Sequence, residues 1–529
     1  MAEQMRALTR RDLLTLVGQV AGGAAMYQAM SGIGLAEESN YRAPIKLQGA
    51  PRGASVLILG AGIAGLVAAL ELRNAGYRVQ VLEYNPVAGG RCWTLRGGDE
   101  YTELGGFRQQ CGFDKGQYVN PGPWRIPYHH HALLDYCRRF GVALEPFVQI
   151  NYNAYVHSNK AYGGKPQRFR EVQSDYQGHI AELFAKCVRS EQLDAGLTRD
   201  DLERLLESLK SWGALDADYR YLKSAQSSSH RGYDVDDGGG LAPHGELSQP
   251  LDLAELLQSR LWTSIAAGQG YHLHPAIFQP VGGMDQVAQA FAREVGSLIR
   301  YNTRVFKIDQ SEKGVTVNYT NRGDGSAGVA KADWCICTIP VSILSQLDLN
   351  VSTKLKTAID ALPYHPSLKA GLQFKRRFWE EDERIYGGIT YTDLPLTTIA
   401  YPNHGCNLGG KGVLLGAYMF GGNAYKYTAM DPAQRLQEIV AMGVQIHPQY
   451  AAEFENGITV GWHRVPWANG CFGAWNSQKR AQYYDDMCQM DGRIVLAGEH
   501  VSRIPAWQEG AVLSALDVCE RVHRRALAA

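Results

Sequence analysis

Val56-Leu57-Ile58-Leu59-Gly60-Ala61-Gly62-Ile63-Ala64-Gly65 is an apolar run broken by three glycines, and a second apolar run, Val79-Gln80-Val81-Leu82, ends on Glu83. The order predicts a strand, a glycine turn, a helix and a second strand, which together open a dinucleotide-binding βαβ unit. Gly60 allows the tight turn, Gly62 lets backbone approach a pyrophosphate, and Gly65 lets the helix pack closely on the strand. Glu83 stands where an acidic side chain holds a ribose diol. The helix beginning near Ile63 directs its unpaired N–H groups and the positive end of its dipole at the phosphates. A lone G-x-G-x-x-G recurs in ordinary turns; here strand, helix, second strand and acidic residue follow in sequence.

This unit alone does not distinguish NAD, NADP and FAD. It continues into Tyr84-Asn85-Pro86-Val87-Ala88-Gly89-Gly90-Arg91 and then Thr102-Glu103-Leu104-Gly105-Gly106. A second glycine turn ending in arginine adds backbone donors and a fixed cation. Near the other end stand Leu496-Ala497-Gly498-Glu499-His500 and Ala506-Trp507-Gln508-Glu509-Gly510-Ala511. Together, from Val56 to the last helix, these motifs resemble the flavin amine oxidase superfamily, which includes monoamine, polyamine and L-amino-acid oxidases; bacterial L-amino-acid oxidases are the most similar members. The resemblance implies an α/β and α+β architecture: a Rossmann-like FAD-binding domain, a mixed-sheet substrate domain and a helical insertion. It implies FAD as cofactor, contacted by Gly60, Gly62, Gly65, Glu83, Gly90, Arg91, Gly105, Gly106, Val305, Trp462, Glu499, Gln508, Gly510 and Ala511.

At 529 residues the chain is too long for one core. The expected division is an N-terminal segment 1–49, a discontinuous FAD-binding domain 50–106, 276–362 and 484–529, a substrate-binding domain 107–166 and 363–483, and a helical insertion 167–275. In the insertion, Leu197 to Trp212 has apolar residues at helical spacing. Ser224 to Gly240 has turn composition and is expected as a surface loop. Acidic and basic residues balance at 53 each, which argues against a nucleic-acid partner. No apolar run has the length of a membrane span. The ten cysteines show no metal-ligand spacing; most are expected to be buried small hydrophobes, with Cys335 and Cys337 on one side of a strand. Thr9-Arg10-Arg11-Asp12-Leu13-Leu14, leading into an apolar stretch through Met26, resembles a twin-arginine export signal. That implies a periplasmic or secreted protein; the alternative is a cytoplasmic one with an amphipathic N-terminal helix.

The resemblance also assigns four catalytic positions. Lys369, in Ser367-Leu368-Lys369-Ala370, falls where the family carries a lysine close to flavin N5, and an ammonium there favours oxygen reduction; the alternative is a surface lysine. Arg108 is expected to hold a substrate carboxylate through its guanidinium fork, or else to bond the flavin or a loop carbonyl. Phe472 and Trp507 match the aromatic walls before the flavin, which exclude water; Trp467 and Trp475 stay open. Cys471 lies nine residues after Trp462, the spacing of the covalently bound cysteine of monoamine oxidases. Its continuation, Phe472-Gly473-Ala474, differs from theirs, so FAD is expected to be non-covalent and Cys471 a packed residue. Glu499 is expected near the ribityl or phosphate groups, and the helix from Gln508 under the pyrimidine end. His129, His130 and His131 cannot all face one ion, so no metal is expected and a loop or helix surface is assigned to them.

The implied reaction is oxidative deamination of an L-amino acid by O2 to a 2-oxo acid, ammonia and hydrogen peroxide, with hydride passing from Cα to flavin N5. A decarboxylating L-amino-acid monooxygenase, an oxidase of non-carboxylated amines and a non-catalytic flavin scaffold are the alternatives. The family implies a homodimer.

Overall fold

The structure is a computed structural model describing residues 38–190 and 196–529; the twin-arginine-like stretch Thr9–Met26 lies outside them. β1 (Ser55–Leu59), α1 (Ile63–Asn74) and β2 (Arg78–Leu82) form the βαβ unit. With β3 (Ile299–Arg300), β4 (Trp334–Cys337) and β5 (Ile494–Leu496) they make a parallel sheet in the order β3-β2-β1-β4-β5. A parallel sheet is covered on both faces, which is why β1 and β4 read as unbroken apolar runs. Val56, Ile58, Trp334 and Ile336 share one core with α1, whereas Leu57, Leu59, Cys335 and Cys337 share the other with Val305. The two cysteines thus lie on one side of the strand.

α1 has no polar face because it packs on the sheet, on the helix Asp285–Val295 and on the C-terminal helix. α2 (His131–Arg139) and α3 (Gln508–Leu527) complete this half. The carboxyl ends of β1 and β2 and the glycine turns that follow them border one crevice, as open α/β sheets arrange their ligand sites.

The second half is a seven-stranded mixed sheet in which Ser367–Phe374 lies between Gly412–Phe420 and Phe454–Gly461, antiparallel to both. Every residue of Ser367–Phe374 is buried, so its polarity does not alternate. Helices Phe169–Arg189 and Arg199–Trp212 pack through a core of their own that includes Ala181, Ala185, Leu209 and Leu215.

The loop expected over Ser224–Gly240 is partly ordered otherwise. A capping box between Ser224 and Ser227 starts the helix Ala225–Arg231, Arg231 is buried on Asp175 at 2.8 Å, and Tyr233–Val235 pairs with Glu246–Leu247. Among the described residues no helix is long and apolar enough to cross a membrane.

Candidate active site

The glycine turn has the geometry its spacing predicts. Gly60 has φ +102°, and a Cβ there would lie 2.6 Å from Thr338 Oγ1. At Gly65 a Cβ would fall 2.0 Å from the Gly60 carbonyl oxygen. Nothing lies within 4 Å of a Cβ built at Gly62, which opens α1 without a side-chain cap. The backbone there is bare and its first N–H groups point outward, a cradle that fits a pyrophosphate. Gly89 bridges to Gly62, and Gly90, at φ +54°, approaches it. Glu83, the residue after β2, is buried, accepting the Ala61 N–H at 2.6 Å and the Asn85 N–H at 2.8 Å. Burial pushes its carboxyl up and these bonds pull it part of the way back. Val305 packs in the same core as Leu82.

A cation and a carboxylate join this turn to the C-terminal motif. Arg91 donates to Glu499 Oε1 and to the Cys471 carbonyl, both at 2.7 Å. Glu499 also accepts the N–H groups of Gly473 at 3.2 Å and Ala506 at 3.1 Å. Burial opposes its charge most strongly, but Arg91, His500 and the Ala506 N–H together outweigh burial and its carboxyl is lowered. Past Ala506, at φ +67°, Trp507 begins α3 without a side-chain cap. Gln508 donates to Cys92 Sγ at 3.1 Å, Ala511 packs against the α1 core, and a Cβ at Gly510 would lie 2.1 Å from the Ile504 carbonyl oxygen.

Lys369 is buried, not on the surface. Its Nζ donates to the Gly122 carbonyl at 2.5 Å and stands 4.4 Å from the Tyr418 ring centre and 4.7 Å from that of Trp124. Burial pulls its ammonium down to about 7, with Cys471 opposing and Arg125 reinforcing. The loop that receives it is fixed by Trp462, whose Nε1 donates to Pro121 O at 2.7 Å. Trp462 is therefore placed to position that loop.

Arg125, in the same loop, was not singled out from the sequence, although a proline-glycine turn carrying one arginine between apolar residues, Pro121-Gly122-Pro123-Trp124-Arg125-Ile126, is a legible signal. It is 3% exposed, donates to Gln149 Oε1 at 2.5 Å, and Gln149 donates to Tyr391 Oη at 2.9 Å. Its guanidinium lies over Trp124, Phe147 and Trp507. Burial lowers it to about 10, so it stays charged at neutral pH. Contacts between neighbours form a continuous row from Phe472 through His365, Phe420, Tyr418 and Trp124 to Arg125 and Trp507. The two expected wall residues thus end one row, and Lys369 stands over its middle. A cavity of about 60 Å³ beside Trp124 and Phe147 is lined also by Tyr118, Gln279 and His404, and not by Lys369, Arg125 or Trp507.

Two expectations are corrected. Arg108 lies on the hairpin Glu100–Thr102/Arg108–Gln110, 69% exposed and paired with Glu100. Side chains alternate along a strand: Gln109 turns inward to Thr459, so Arg108 turns out. Gly105 and Gly106 make the turn of this hairpin at φ +102° and +95°, and Glu103 forms a fully buried pair with Arg435 at 2.8 Å. This hairpin therefore offers no buried carboxylate anchor. Secondly, His129 and His130 are not on a surface; both are buried and only His131 is exposed. The segment Tyr271–Leu273 covers them, with Tyr271 stacked on His129 at 4.4 Å. Cys471 is held by its backbone to Arg91 and His365, and burial pushes its thiol up. Trp475 packs on Tyr484, and Trp467 on Trp93.

The family described as "Flavin containing amine oxidoreductase" matches residues 63–523. The putative L-amino-acid oxidase YobN of Bacillus subtilis (strain 168) is 28% identical over 477 residues, covering 89% of this chain and 94% of its own. An L-amino-acid oxidase of Siganus canaliculatus is 27% identical over 479 residues, 89% and 86% of the two chains. Among solved structures, a putrescine oxidase bound to putrescine superposes with TM-score 0.57 at 18% identity, over 89% of this chain and 99% of that one. Cyclohexylamine oxidase from Brevibacterium oxydans IH-35A gives 0.58 at 16%, over the same shares.

Proposed function

The chain belongs to the flavin-containing amine oxidoreductase family, and on that premise we propose that it is an FAD-dependent L-amino-acid oxidase whose substrate carboxylate binds Arg125. The uncapped α1, the Gly62 cradle and the Arg91–Glu499 clasp would hold FAD, which when bound would supply a hydride acceptor for Cα and reactivity toward O2. The overall reaction consumes amino acid, O2 and water and yields a 2-oxo acid, ammonia and hydrogen peroxide.

One observation carries the reading: a buried guanidinium sits in the same row of rings as Lys369. A guanidinium fork matches a carboxylate bidentately, and held rigidly by Gln149 it fixes which hydrogen of Cα is presented. The rings exclude water and favour the neutral amine. Lys369, poised near neutrality, is suited to hold or release a proton beside the reacting centre. The N-terminus of α3 favours negative charge at its end. The L-amino-acid substrate draws further support from the names carried by the curated relatives.

The test is anaerobic mixing of the purified flavoprotein with L-amino acids, D-amino acids and simple amines, followed by product analysis in air. Bleaching by L-amino acids with release of 2-oxo acid and peroxide is expected. Amide and carbon dioxide as products, bleaching by amines alone, or no bleaching at all would each sink the L-amino-acid oxidase reading.

A further inference from the structure

Trp507 touches a second group of rings, built from two separated parts of the chain. His130 meets it edge-on at 5.0 Å and His272 stacks on it at 5.6 Å. His129 lies 4.9 Å from His130 and 4.7 Å from His272, centre to centre. All three are buried, and one ligand nitrogen from each lies within 4.8 Å of the others. Neither ring nitrogen of His129 or His130 reaches a hydrogen-bond partner beyond its own residue. Buried polar atoms in a folded protein are ordinarily satisfied, so such a pair calls for a ligand. The third adjacent histidine, His131, is exposed, as expected if neighbours in sequence cannot all face one point; its place is taken by His272.

We propose that His129, His130 and His272 form a binding site for a divalent transition-metal cation, with zinc the chemical match. Three imidazoles and no carboxylate favour zinc over the hard cations calcium and magnesium, which take oxygen ligands. Zinc–nitrogen bonds of about 2.0–2.1 Å in a tetrahedral shell place ligand nitrogens about 3.3 Å apart. Rotation of the rings by roughly an ångström closes the group to that spacing. The fourth position is left to water. Two of the ligands bear on Trp507, whose ring also faces Arg125, so the cation fixes that end of the row of rings without entering the reaction. The proposal does not rest on the assigned substrate.

The FAD-loaded protein, stripped with a chelator and returned to metal-free buffer, is titrated calorimetrically with Zn2+ and followed by visible difference absorption with Co2+. One equivalent of Zn2+ and the ligand-field bands of nitrogen-bound Co2+ are expected. His129→Ala and His272→Ala lose that equivalent, whereas His244→Ala, in an exposed part of the insertion, retains it. Absence of Zn2+ binding and of Co2+ bands in the unsubstituted protein overturns the site even if the alanine variants fail to fold. Retention of the equivalent by both alanine variants, or its loss in His244→Ala, overturns it equally.

Discussion

Arg91 and Glu499, 408 residues apart in the chain, meet in an ion pair of 2.7 Å. The pair ties the second glycine turn to the residues that lead into α3, and the Glu499 carboxylate gathers the Gly473 and Ala506 N–H groups around it. Glu499→Gln leaves a largely buried guanidinium without its counter-charge, and a loss of about 2–4 kcal/mol in unfolding free energy is expected. Chemical denaturation followed by flavin absorbance measures it; an unchanged midpoint means that the pair does not clasp the site.

Arg125 and Arg108 are expected to separate in a kinetic comparison. Arg125→Ala is expected to lower kcat/KM for amino acids by about 2–5 kcal/mol and to spare simple amines. Arg108→Ala removes an exposed pair and should change the same quantity by less than about 1 kcal/mol. The opposite ranking restores the carboxylate to Arg108.

Lys369 should leave a pH signature in stability. Its ammonium falls from an ordinary 10.5 to about 7 in the folded protein because burial disfavours the charge. Between those values the unfolded chain binds a proton that the folded one does not, so this residue's contribution to stability grows as pH rises through that window and is lost as pH falls through about 7. The difference in urea midpoint between the unsubstituted protein and Lys369→Met is expected to climb from pH ~7 to pH ~10. A flat difference rejects a lysine that is neutral when buried.

Gly65→Ala tests the cradle without touching a polar group. The added methyl would fall 2.0 Å from the Gly60 carbonyl oxygen, so α1 must move away from the turn. Purified variant protein is expected to contain little FAD and to unfold at lower temperature; full occupancy would show that the close approach is not required.

The nucleotide-binding half was legible because its constraints are local. Gly60, Gly62 and Gly65 each answer to a backbone requirement within a few residues, and β1 is apolar because both faces are covered. The pocket was less legible because its members are adjacent only in three dimensions. Arg108 and Arg125 both follow a glycine-bearing turn; strand alternation sends the first to solvent, while the second is enclosed by Trp124, Phe147 and Trp507. Thr102-Glu103-Leu104-Gly105-Gly106 reads as a cofactor motif, yet Glu103 serves a buried pair with Arg435, a partner that no local spacing could nominate. His272 likewise joins His129 and His130 only once the chain has folded back on itself.

Because α3 packs on α1, the half that fits the flavin is closed by segments far apart in the chain. α1 is buried from Ile63 to Leu72, and the acid that answers Arg91 lies 408 residues beyond that arginine, just before α3. Docking of α3 on α1 is thereby a contact of long sequence separation, which carries the loop-closure entropy of the chain between them. A chain truncated before Gln508 is expected to retain little flavin, read as loss of visible absorbance after purification.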